Sequence, residues 1–341
     1  MRKAMRLLRV RLAVLTIGLG LPATVEAQSY TNSYGIWGYT INPNATITIT
    51  GYTGPGGAVT IPSEIYNLPV TSIGDRAFDY CIGLTSVTIP NSVASIGEDA
   101  FRNCASLTSV TIPDSVTSIE EEAFESCGSL TSVTIPDSVT SIGEEAFFFC
   151  TSLANVTIGN SVTNIADDAF QGCTSLTSVT IGNSVTSIGG WAFWGCPLSG
   201  ITIPDSVTSI GDSAFFNCTS LTSVYFQGNA PSLGSLVFDG DNYCTLYYLP
   251  GTTGWEPLLA NRPAVLWNPQ VQPGSLGVRT NQFGLNIIGS RNLVIVIEAT
   301  TSLASPTWLP LQTNTLTGSP LYFSDPQWTN YPSRFYRVTW P

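Results

Sequence analysis

The apolar positions of this chain recur with a long period. Phenylalanine returns at Phe78, Phe101, Phe124, Phe147, Phe170, Phe193 and Phe215, at intervals of 23 residues and a last interval of 22. Each is followed three residues later by a cysteine: Cys81, Cys104, Cys127, Cys150, Cys173, Cys196 and Cys218. Self-similarity at a fixed period of roughly 20–50 residues marks a stack of coils, each touching only its neighbours. Within one unit, Leu130, Val133 and Ile135 have the spacing of a strand that lines a solenoid, so Ser132 and Thr134 point outward. Pro136-Asp137 predicts a turn, and Val139 and Ile142 bring a second extended segment back over the core. Glu144 to Cys150 suits one or two helical turns that hold Ala146, Phe147 and Cys150 on one face. Phe and Cys thus form a predicted internal ladder, in a fold of parallel strands and short helical turns.

The unit Leu-Thr-Ser-Val-Thr-Ile-Pro-x-Ser-Val-Thr-Ser-Ile-Gly-x-x-Ala-Phe-x-x-Cys resembles the BspA-like leucine-rich repeats of bacterial surface proteins. The resemblance covers residues 58–250. It implies an α/β leucine-rich-repeat solenoid of right-handed sense, secretion, and, as in several members, adhesion to host or matrix proteins.

The flanks depart from the unit, as solenoid caps do. Residues 28–57 read as an N-terminal cap with alternating Thr/Ile and a Gly54-Pro55-Gly56-Gly57 turn. An eighth coil begins at Leu221 and loses the motif near Phe238 to Cys244, and residues 251–274 read as a linker rich in Pro, Gly and Trp. Residues 275–341 form a separate small all-β, sandwich-like module, with strands expected over Asn292 to Ala299 and Arg334 to Trp340. Its final segment is similar to a C-terminal module of other secreted bacterial proteins.

The N-terminus changes the charge picture. Arg2, Lys3, Arg6, Arg9 and Arg11 precede an apolar stretch, Leu12 to Leu21, and Val25-Glu26-Ala27 offers a small-residue cleavage site, so residues 1–27 read as a secretory signal peptide. The full chain carries a net charge of −11, and removing the signal leaves 7 arginines against 22 acids, a net of −15. Such a surface disfavours nucleic acid and anionic membrane. No other stretch is long and apolar enough to span a bilayer. The expected location is secreted, extracellular or at the bacterial cell surface.

Candidate chemistry is sparse. Histidine is absent, which removes His-based triads, imidazole acid–base work and His-ligated zinc. The eight cysteines lack a CxxC pair, and their period favours reduced core packing over bridges. Glu98/Asp99, Glu121/Glu122, Glu144/Glu145 and Asp167/Asp168 fall at one repeat position, where the first turn of a short helix would favour carboxylates. A weak Ca²⁺ column is the alternative reading. No cofactor, metal site or catalytic set is expected.

Two surfaces remain as ligand-binding candidates. One is a column of strand threonines, Thr88, Thr111, Thr134, Thr157, Thr180 and Thr202, beside serines on the same face. The other follows the repeat Phe, where Phe148, Trp194 and Phe216 replace polar residues, with Phe149 and Trp191 nearby. These aromatics should form an exposed patch. Its partner would be an external ligand or the C-terminal module docked intramolecularly. The functional expectation is a recognition or adhesion protein, not an enzyme, that binds extracellular protein or glycan. The alternatives are a structural spacer or envelope component without a specific ligand and, from another class, a glycan-active enzyme using paired carboxylates.

Overall fold

The structure, a computed structural model, describes residues 28–272, 274–279, 282–289, 293–317 and 319–339. Residues 1–27, expected to be a signal peptide, lie outside the described residues, as do Asn292 and Trp340, the outer residues of two expected strands. The repeats stack as a parallel β-solenoid. Ser132–Ile135 pairs in register with Asn155–Ile158, one period on, so Val133 meets Val156 and Ile135 meets Ile158. Leu130, Val133 and Ile135 are buried while Thr131, Ser132 and Thr134 are exposed, the alternation that strand geometry imposes. After the Pro136 turn, Ser141–Ile142 pairs with Ser118–Ile119 on one side and Asn164–Ile165 on the other. These short strands run as one sheet from the N-terminal hairpin to Ser232–Leu233. The longer strands form three separate sets, interrupted between Ser109–Thr111 and Ser132–Ile135 and again between Ser178–Thr180 and Gly200–Ile203.

The third side of each coil departs from the expected helical turns. Residues 144–149 form consecutive turns. Ala146, Phe148 and Cys150 donate their N–H groups three residues back, to Gly143, Glu145 and Phe147. Glu145, Phe147 and Phe149 donate instead to the next coil, to Asp167, Ala169 and Gln171. Alternation of local and inter-coil bonds needs left-handed residues, and Glu145 (φ 54°) and Phe149 (φ 53°) supply them. A non-glycine residue there costs about 1–2 kcal/mol and cannot continue a right-handed helix. This turn ribbon is therefore a third hydrogen-bonded face of the solenoid.

Inside, Phe rings stack along the axis. Centroid separations run from 4.8 Å for Phe78–Phe101 to 5.5 Å for Phe215–Phe238, so an eighth ring extends the seven apparent in the sequence. Tyr52 stacks on Phe78 at 5.3 Å and Trp37 packs on Tyr52 at 4.9 Å, closing the N-terminal end. The thiols have a defined partner. Cys104, Cys127, Cys150, Cys173, Cys196 and Cys218 are buried, and each donates to the carbonyl of the Phe one coil earlier, at 3.1–3.3 Å. All eight cysteines are free, and Cys81, at the open end of the column, is half-buried.

The pattern alters at the C-terminal end. Asp241, three residues after Phe238, takes the slot that a thiol holds elsewhere and is fully buried, while Cys244 moves to the position of the repeat leucine. Arg262 reaches back to donate to the Phe238 carbonyl through Nε (3.1 Å) and Nη2 (2.7 Å). Arg262–Leu266, within the segment expected to be a linker, adds a last parallel strand against Thr245–Tyr248. Beyond it, Gln282–Ile288 and its partners, including Leu321–Asp325, make one antiparallel sheet. Val294–Thr300, Leu309–Thr315 and Phe335–Thr339 make another. Leu285, Ile287, Leu293, Ile295, Ile297 and Phe323 form their shared core.

Candidate functional site

The Ser/Thr face distinguishes two threonine columns. Thr108, Thr131, Thr177 and Thr222 donate their hydroxyls to carbonyls one coil earlier, so these groups belong to the scaffold. Thr88, Thr111, Thr134, Thr157 and Thr180 are exposed and Thr202 is half-buried. Among the described residues, none of these six hydroxyls is tied up in an intramolecular hydrogen bond. The outward column therefore presents unengaged donor–acceptor groups in a line.

The column ends in a change of chemistry. Thr202 pairs with Tyr225, Tyr225 with Tyr247 and Tyr247 with Val265. The two tyrosine rings stack at 5.1 Å and are buried against Trp267, Leu285, Ile287 and Leu293. Threonine gives way to tyrosine where the C-terminal module seats. Tyr225 and Tyr247 escaped the sequence reading, although their substitution for threonine in a regular column was the visible signal.

The turn ribbon carries the acids and the aromatics. Because the ribbon consists of turns rather than a helix, the carboxylate pairs do not face helix N-termini. The second acid of each pair, Asp99, Glu122, Glu145 or Asp168, is a left-handed residue. In the early coils arginine balances them. Arg102 lies 2.7 Å from Asp99, 3.2 Å from Glu122 and 3.1 Å from Asp79, and Arg76 lies 2.8 Å from Asp99. Carboxylate oxygens of Asp99, Glu122 and Glu125 gather within 4.8 Å of one another. The Arg102 guanidinium already supplies positive charge to this cluster, which makes it an ion-pair network. Glu125 is pushed up to about 7 by burial and by its hydrogen bond with Glu122. Partial desolvation followed by repulsion from neighbouring carboxylates raises Glu121, Glu145 and Asp168 as well.

The ribbon aromatics form two clusters. On one coil Phe148 is half-buried, Phe149 is exposed, and their rings meet edge-on at 4.5 Å. Further along, Trp191 is exposed and lies 6.4 Å from the half-buried Trp194 and 6.3 Å from the half-buried Phe216. Gly172 separates the clusters; a Cβ there would come within 3.2 Å of the Phe149 ring. Phe149 and Trp191 both have left-handed backbones, held by inter-coil bonds to Gln171 and Asp212. None of the five aromatics belongs to the buried cluster beneath the C-terminal module. Among the described residues no helix is long and apolar enough to cross a membrane.

Known proteins share this architecture. The family profile described as BspA type leucine rich repeat region matches residues 71–196 and 148–253, in six copies. A leucine-rich cell surface protein from Faecalibacterium prausnitzii is 35% identical with a TM-score of 0.57, over 67% of this chain and 72% of that one. The T. pallidum leucine rich repeat protein is 33% identical with a TM-score of 0.49, over 61% and 87%. A leucine-rich repeat protein from Bacteroides ovatus is 26% identical with a TM-score of 0.39, over 70% and 76%. No curated protein gives a significant match. With the repeat signature spanning more than half of its length on a stacked-coil fold, this chain belongs to the BspA-type leucine-rich-repeat family.

Proposed function

We propose that the protein is a secreted or cell-surface-displayed bacterial recognition protein, non-enzymatic, whose turn-ribbon aromatics contact an extracellular protein ligand. The observation that carries this reading is the uncovered aromatic pair Phe149 and Trp191. Both rings are exposed on the turn ribbon, and the C-terminal module docks on another face. Large exposed aromatics are costly to leave in water and dominate binding energy at interfaces. Membership in the surface-repeat family and the signal-like N-terminus support display outside the cell. The absence of histidine and the engagement of Asp99 and Glu122 with Arg102 weigh against hydrolytic chemistry at the carboxylates.

An array of matrix and host-surface proteins probed with the mature chain tests this reading. Wild type should bind at least one protein. The double variant Phe149→Ala, Trp191→Ala should keep its Tm and lose at least tenfold in affinity, equivalent to about 1.4 kcal/mol. Binding that is indifferent to both substitutions would move the site elsewhere, and an array without signal would favour the spacer reading.

A further inference from the structure

We propose that the cleft between the Ser/Thr face and the C-terminal module binds a neutral glycan. The proposal extends the recognition reading to a second surface, and its outcome is separable from that of the aromatic site. The cleft, of about 680 Å³, straddles the interruption between the strands Ser178–Thr180 and Gly200–Ile203. It arises where one coil is a residue short: Pro197 links Cys196 to Leu198, where other coils place two residues between Cys and Leu. Gly200 then stands where neighbouring coils carry Ser178 and Ser223, so the serine column has a notch. Val294 of the C-terminal module lines the opposite side.

The lining selects a ligand class. Among the described residues it contains the unengaged hydroxyls of Ser178, Thr180 and Thr202, the amides of Asn183 and Gln227, and no ionisable acid or base other than the Tyr225 phenol. Tyr225 is 95% buried at the edge of the cleft, with its hydroxyl beside the Ser223 side chain. Hydroxyls and amides can each donate and accept, which matches the mixed hydrogen bonding of sugar hydroxyls. These described residues would offer a charged ligand no counter-charge for its desolvation, which is unfavourable. The volume falls within the range of small-molecule sites.

The experiment titrates the mature chain with neutral glucan, mannan and galactan oligosaccharides, and with their sulfated counterparts, by calorimetry. At least one neutral oligomer should bind, and its sulfated form should bind at least tenfold more weakly. Gly200→Asn places in the notch a residue that the same column already carries at Asn155; its Cβ would meet the Ser223 Oγ at 2.9 Å and turn that hydroxyl aside, and affinity should fall at least tenfold with the fold retained. Thr180→Val should weaken binding, whereas Thr180→Ser, which retains the hydroxyl, should preserve it. The Phe149→Ala, Trp191→Ala variant should bind sugar as wild type does. The cleft is overturned if no neutral oligomer binds, if Gly200→Asn binds like wild type, or if sulfated forms bind more tightly. Sugar binding lost only in the aromatic variant would overturn the cleft and assign that ligand to the ribbon. Protein binding lost in the aromatic variant without any sugar binding would overturn the cleft alone.

Discussion

Replacing Phe147 by alanine should destabilise the native protein by about 3–5 kcal/mol, the cost of deleting a large buried aromatic. Its ring is fully buried between Phe124 at 5.2 Å and Phe170 at 5.3 Å, with interplanar angles of 4° and 3°. The substitution removes two stacking contacts, each worth about 0.5–1.5 kcal/mol, in addition to the apolar area. Neighbouring coils cannot close the gap, because their spacing is fixed by hydrogen bonds on all three faces, such as Phe147 N–H to the Ala169 carbonyl. The adjacent Phe148 is the internal control: it is half-buried on the ribbon, and its alanine variant should lose clearly less. Urea unfolding of both variants checks the ordering. Equal costs, or a loss below about 1 kcal/mol for Phe147, would show that the ring column is not the core.

Acidification should stabilise this protein over a range in which many proteins begin to weaken. Asp241 occupies a thiol slot at the C-terminal end of the column, and burial, its dominant influence, pushes it up from 3.8 to about 7 despite the opposing Arg262 charge. A carboxyl whose folded value exceeds its unfolded value binds more protons in the native state. Its stabilising contribution is complete below about pH 4 and is lost as pH rises through about 7. A displacement of about three pH units corresponds to on the order of 4 kcal/mol between the two extremes. Glu125, also near 7, adds a smaller effect of the same sign. Unfolding free energy should therefore rise from pH 8 to pH 5. The variant Asp241→Asn, neutral throughout, should flatten most of that slope, and Asp241→Cys, which restores the donor used by the other coils, should do so at higher overall stability. A wild-type profile that falls across this interval, or an Asp241→Asn profile as steep as wild type, would contradict the assignment.

Much of this fold could be read from spacing. The period of Phe and Cys located the coils, and strand alternation separated Val133 and Ile135 from Ser132 and Thr134. The ribbon was misread because Ala146, Phe147 and Cys150 share a helical spacing, while the left-handed residues that prevent a helix have mostly ordinary side chains. Only Asn103, Gly172, Gly195, Asn217 and Gly240, each two residues after the ring, hinted at that conformation. The last coil was hidden because it loses the motif after Leu221: Asp241 stands three residues after Phe238, where the other coils place cysteine, and Cys244 falls at the leucine position. The site was less legible than the fold. Outward threonines look alike in sequence, and only the hydrogen bonds distinguish the engaged Thr177 from the open Thr180. The cleft depends on where the C-terminal module rests, and that placement follows from Tyr225 and Tyr247 interrupting a threonine pattern.

Successive coils bury their rings, and from Cys104 to Cys218 their thiols, within one continuous stack. Burial pushes Cys150 and Cys196 up to about 12 and raises Cys127, Cys173 and Cys218 well above the usual thiol range, so little thiolate exists near neutrality. Timed alkylation of the undenatured mature protein, mapped by mass spectrometry, measures this directly. The half-buried Cys81 should react first, and Cys104 through Cys218 should stay unmodified until urea unfolds the chain. Rapid labelling of those six in the native protein, or their recovery as bridged pairs, would contradict it.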